Sequence, residues 1–137
     1  MTVDRSDAPR LLLSALRAVG GGAFLAPRLG AKTFGLREDA EGSYLVRLFA
    51  ARNIALTAGL LASSGRSRRT LYKVGVACDV LDIGAGLLGL HEGKERSSAL
   101  IDTGASIVAT GLGVAGLRVD SGRAGRGWGQ LGRRFSR

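Results

Sequence analysis

Asp79 and Asp82 stand three residues apart. On a helix that spacing puts two carboxylates on one face, a turn from each other. Such a pair can share a proton, as catalytic carboxylates do, or each acid can take a basic partner. No nucleophile or substrate pocket can be identified beside them in the sequence, so ion pairing is the reading adopted. Asp102 is a third acid in apolar surroundings, and Arg17, Arg47 and Arg52 are three bases in similar ones. Three against three nearly neutralises the set. That matters if the surroundings are lipid, where an isolated charge at mid-bilayer costs roughly 2.5–3.5 kcal/mol on insertion scales, so a partner or water is required.

Other chemistry-bearing residues read as structural. His91, the only histidine, opens a polar stretch beside Glu92 and reads as a solvated loop residue, not a metal ligand. Cys78 is the only cysteine, which removes an internal disulfide, a CxxC redox pair and a cysteine-based zinc site. The run GAGLLG at 84–89 and the run GLGVAG at 111–116 both match GxGxxG. A dinucleotide site needs an apolar helix directly after the glycines, whereas a polar stretch follows the first run and a basic one the second. Helix packing explains both, and no cofactor or metal is read from the chain.

The elements that carry these groups are four apolar segments, at 11–26, 44–62, 71–90 and 99–117. A hydrocarbon core takes ~20 mostly apolar residues, and three of the segments approach that length. Pro27 ends the first helix, and Ser63, Ser64 and Gly65 end the second. From 118 to 137 the chain turns Gly/Arg-rich, with Arg123, Arg126, Arg133, Arg134 and Arg137, and reads as a flexible basic tail attracted to anionic lipid headgroups. The first residues, with Asp4, Arg5 and Asp7, lack the pattern of a cleavable signal peptide.

Length and composition fit one domain, at 1–117. The chain has 137 residues, 45% of them hydrophobic, 22 glycines, two prolines and a net charge of +9. That excludes a collagen-like class and a largely disordered one. Abundant arginine, alanine and glycine suit a bacterium with G+C-rich DNA.

Helical faces decide between water and lipid. At ~100° per residue, Gly75, Asp79, Asp82, Gly86 and Gly89 share one arc, with Val76, Val80, Ile83 and Leu87 opposite. Asp102 shares an arc with Ala105, Ser106, Ala109, Gly113 and Gly116. Ala51, Ala55 and Gly59 repeat at four-residue spacing with Arg47 and Arg52 flanking them, and Arg17 lies with Gly20 and Gly21. A soluble bundle puts large apolar groups inward and charges outward. Here the acids accompany the small residues, as expected where helices approach closely in lipid and polar groups turn away from it.

Basic residues then give an orientation. If four helices cross, Arg5, Arg10, Arg66, Arg68, Arg69, Lys73 and the C-terminal arginines fall on one side, against Arg28, Lys32, Arg37, Lys94 and Arg96 on the other. Both termini are expected in the cytoplasm. Tyr44 and Tyr72, at helix starts, suit the interface.

The order Pro27, Phe34–Gly35, Arg47, Arg52–Asn53, Gly59, Asp79 and Asp82 resembles that of small four-helix bacterial membrane proteins grouped loosely with the DoxX-like proteins, over about 11–117. The resemblance implies an accessory role in a respiratory or redox complex, and an aspartate where this chain has Asn53. It supplies no catalytic residue.

The expectation is an all-α, four-helix transmembrane bundle in the bacterial plasma membrane. Its role would be structural or accessory, as a subunit of a membrane complex or a homo-oligomer, or as a binder of a small membrane-soluble ligand. Proton or ion transport along the buried carboxylates is the second class. A soluble, basic, nucleic-acid-binding helical protein is the third, disfavoured because the tail offers only Trp128 and Phe135 for stacking.

Overall fold

The computed structural model describes residues 7–134, with side chains over 7–122. Within these the chain is all-α and has five helices where the sequence predicts four: α1 (Ala8–Gly22), α2 (Pro27–Thr33), α3 (Ala40–Ala62), α4 (Gly65–His91) and α5 (Arg96–Arg134). Three stretches are long and apolar enough to cross a membrane, namely Ala40–Ala62, Gly65–His91 and Arg96–Gly122.

The extra helix comes from the end of α1. Its last three residues are Gly20, Gly21 and Gly22, poor helix formers, and the amides of Ala23, Phe24 and Leu25 then donate to the carbonyls three residues back, closing the helix in tight turns. Pro27 does not end α1. It opens α2 at the first helical position, where its missing N–H is no loss. With 15 residues, α1 is about 22 Å long, short of a hydrocarbon core about 30 Å thick.

Capping fixes the remaining turns. Asp39 accepts from the Gly42 amide at 3.0 Å and starts α3. Gly93, at φ +94°, ends α4 in a Schellman motif: its amide donates to Leu90 and that of Lys94 to Gly89. The reversal folds Lys94 back over the last turn of α4, with consequences for Asp102 described below.

α4 and α5 form an antiparallel hairpin. Tyr72 packs on Gly116, Val76 on Gly113, and Thr103 of α5 on Gly86 of α4, so each helix receives the other's side chains where it has none. α1 packs against α3 and α5, and α2 against α3.

Residues 118–134 correct the reading of a flexible tail, because their backbone continues α5 as helix. Extending a formed helix costs little, and α4 holds the turn after residue 117. Arg69 donates to the Asp120 carbonyl at 2.8 Å, and Arg68 lies 3.6 Å from the Asp120 carboxylate. Arg5, Arg137 and the side chains of Arg123, Arg126, Arg133 and Arg134 lie outside the described residues, and with them the expected contact to lipid headgroups.

The interior mixes polar and apolar side chains in equal number, with a small apolar cluster at Leu13, Leu60, Tyr72 and Ala109, and the exterior carries many large apolar ones. Buried side chains include Ser14, Arg17, Ser43, Asn53, Asp79, Ser98, Thr103 and Ser106, and half of the buried hydrophobic residues are alanines. Large apolar side chains such as Val19, Leu25, Leu81, Leu88, Leu100 and Ile107 are exposed. A water-soluble bundle keeps its large apolar side chains inside.

Candidate functional site

The interior surrounds a cavity of about 450 Å³, to which every helix contributes. Arg17 comes from α1, Arg52 and Asn53 from α3, Asp79 and Asp82 from α4, and Asp102 and Ser106 from α5, while α2 and the residue after it add Leu29, Thr33 and Phe34. Among the described residues, no three His, Cys, Asp or Glu side chains are grouped to hold a metal ion.

Two ion pairs and Asp102 form the charged part of the wall. Arg17 Nη2 donates to Asp79 Oδ2 at 2.6 Å, both side chains being almost wholly buried. The pair depends on Gly75, one turn before Asp79: a Cβ there would lie 2.8 Å from Arg17 Nη2. Glycine at 75 opens the path along which the guanidinium crosses α4 to its acid.

Arg52 meets Asp82 two-on-two, Nη1 to Oδ1 at 3.0 Å and Nη2 to Oδ2 at 2.5 Å. This fork geometry is the strong form of an arginine–carboxylate contact. The guanidinium also lies over the Phe49 ring, 5.1 Å from its centroid, and Phe34 meets Phe49 edge to face at 5.1 Å. Asn53, one residue further, donates to the Phe49 carbonyl.

Each of the two adjacent acids therefore has its own guanidinium, and they do not share a proton in this arrangement. Asp102 pairs with neither Arg17, Arg47 nor Arg52. Its partner is Lys94, at 3.6 Å, carried there by the turn at Gly93. Arg47 is exposed on α3 and stands apart from the cavity, which corrects its assignment to the interior. Five residues at about 100° each separate it from Arg52 by some 140° around the helix, so the two cannot share an inward face.

Two donors of these arginines are unspent, sealed among protein atoms. Arg17 Nη1 and Arg52 Nε are buried and have no hydrogen-bond acceptor among the described residues. The remaining candidates stay outside: His91 is exposed, Cys78 is half-buried beyond the lining, and both GxGxxG runs lie inside helices, 84–89 in α4 and 111–116 in α5. A glycine run inside a helix has its amides engaged and cannot cradle a phosphate.

Sequence reasoning missed Lys94 and Phe49 as site residues, and used Phe34 only in the resemblance. Phe49 left a signal there, standing one helical turn before Arg52 and Asn53. Comparison of the chain with protein-family models, with curated proteins and with solved structures finds no match to any of them.

Proposed function

We propose that this chain is an integral protein of a bacterial plasma membrane that holds a small membrane-soluble molecule in the cavity between its helices, acting as an accessory or binding component. The observation that carries the reading is the inverted distribution of side chains, with arginines and aspartates gathered around an internal space while leucines, isoleucines and valines cover the outside. Cavities of roughly 300–1,000 Å³, mostly apolar with a few fixed polar groups, are the usual form of a small-molecule site.

The orientation rests on the basic end of the bundle. Tyr72 lies within Coulombic reach of Asp7, Arg10, Arg68 and Asp120, which gathers the start of α1, the start of α4 and the region after residue 117 at one end. Arg66, Lys73 and Arg118 belong to the same end by sequence. An excess of arginine and lysine favours the cytoplasmic side, and the cavity then lies nearer the opposite face.

Two measurements test the proposal. Carbonate-washed membranes should retain the protein, and native mass spectrometry from mild detergent should find a small molecule bound to the wild type. Gly22→Phe should lose that molecule, because Gly22 lines the cavity and an added Cβ there meets nothing within 4 Å. Recovery in the soluble fraction would end the membrane reading. Identical spectra for both proteins would end the binding one.

A further inference from the structure

We infer that the cavity takes an amine with an apolar body, whose protonated nitrogen is held on α5 by the Asp102 carboxylate and the Ser106 hydroxyl. This rests on the binding reading above and specifies its ligand.

Charge decides the class. Three aspartates and two arginines line the cavity. Arg17 with Asp79 and Arg52 with Asp82 are closed pairs in direct contact, which leaves Asp102. Its counter-charge, Lys94, is not part of the lining and lies 3.6 Å from Asp102 Oδ2, beyond hydrogen-bond length. The carboxylate is thus open to a closer donor, and its side chain is 23% exposed. A ligand anion would add to this charge, whereas an ammonium answers it with charge-assisted hydrogen bonds. The described acids are not grouped to hold a metal ion, which favours an organic cation.

A second observation marks the same place. Ser106 stands four residues after Asp102, one turn along the same face of α5, and both line the cavity. Thr33, Thr70 and Ser121 turn their hydroxyls back onto carbonyls four residues earlier, and Ser106 does not. Its Oγ has no partner among the described residues and is not among the atoms sealed by protein. In a residue only 7% exposed that lines the cavity, the surface left to this hydroxyl opens inward.

Other buried side chains on the wall likewise keep acceptors. Asn53 donates through Nδ2 to the Phe49 carbonyl and retains Oδ1, and Arg17 takes Asp79 Oδ2 and leaves Oδ1. Neither oxygen is among the sealed atoms, whereas the unspent Arg17 Nη1 and Arg52 Nε are. Arg52, the half-exposed base of the wall, turns Nη1 and Nη2 to Asp82. An ammonium therefore finds oxygens within the same space. The rest of the ligand meets Leu16, Leu29, Phe34, Ile101 and Ala109.

The test uses the full chain in phosphatidylcholine nanodiscs at neutral pH, titrated calorimetrically against empty nanodiscs. Its probes are phenylbutylamine, phenylbutanol and phenylbutanoate, each with the polar group at the end of the chain. The amine should bind at least tenfold more tightly than the alcohol, and Gly22→Phe should weaken it at least fivefold. Asp102→Asn should cost the amine at least fivefold and leave the alcohol within twofold, and Ser106→Ala should cost the amine at least twofold. Lys94→Gln removes a competing cation from outside the lining and should tighten the amine at least threefold, a gain that stands as the test if Asp102→Asn fails to fold. Equal affinity for amine and alcohol, or a preference for the carboxylate, would overturn the cationic ligand and leave the binding pocket standing. Amine binding unchanged or weakened in Lys94→Gln would overturn its placement at Asp102. Heats matching empty nanodiscs for all three probes, or binding unchanged in Gly22→Phe, would overturn both this inference and the pocket on which it rests.

Discussion

The two ion pairs on α4 are separated by one helical turn and differ in what surrounds them. Arg17 and Asp79 are 3% and 6% exposed, joined by one short contact, whereas Arg52 and Asp82 are 32% and 21% exposed and joined by two. The first pair has the poorer geometry and the deeper position, the second the better geometry and the shallower one. Burial and not contact number sets what is lost when one partner is removed, because a stranded charge in the interior has no water to turn to. The buried pair accordingly joins α1 to α4, and the half-exposed pair is the more accessible part of the cavity wall.

The largest effect should follow from breaking the buried pair. Asp79→Asn or Arg17→Gln is expected to lower stability in detergent by about 3–5 kcal/mol, read as a fall in thermal midpoint, while Arg17→Leu with Asp79→Leu recovers much of the loss. A neutral single substitution would erase the distinction between the pairs. Gly75→Ala comes next, at about 2 kcal/mol, since its methyl group displaces the guanidinium. In an Arg17→Leu background most of that cost should vanish, and a double-mutant cycle measures the difference. Asp82→Asn is expected to cost about 1.5 kcal/mol of stability, in the range of a hydrogen bond to a charged group. Its larger consequence should be a lower occupancy of the small molecule in native mass spectra, since Asp82 lines the cavity. Arg47→Gln should change stability by less than about 0.5 kcal/mol, as at an exposed site without partners in the interior.

How much of this was legible in the sequence depends on the range of the interaction. Helical arcs suffice to put Asp79, Asp82 and Gly75 on one face of α4, because that relation is local and follows from a fixed turn per residue. The same arithmetic separates Arg47 from Arg52 by some 140° and lets only one of them face inward. Which arginine meets which acid is not local. Arg17 and Asp79 lie 62 residues apart, and only the packing of α1 across Gly75 selects the partner. Asp102 finds Lys94 through a turn whose positive φ belongs to no periodic pattern. The end of α1 at Gly22 was written in three successive glycines, yet the proline five residues later is the more familiar stop signal. The helix beyond 117 was masked by glycine content, since anchoring by Arg68 and Arg69 depends on a neighbouring helix.

The same separation of 62 residues sets a schedule for the growing chain, on the reading that the bundle assembles in a membrane. At 5–20 residues per second, synthesis from Arg17 to Asp79 takes about 3–12 s. During that interval α1 carries a guanidinium that has no acid to meet. A segment of 15 residues bearing such a charge has little reason to settle in hydrocarbon by itself. α1 would therefore wait at the interface until α4 emerges with Asp79 and draws it into the assembled helices. A ribosome-stalled intermediate ending before Asp79 should leave α1 open to protease, and one extending past α5 should not.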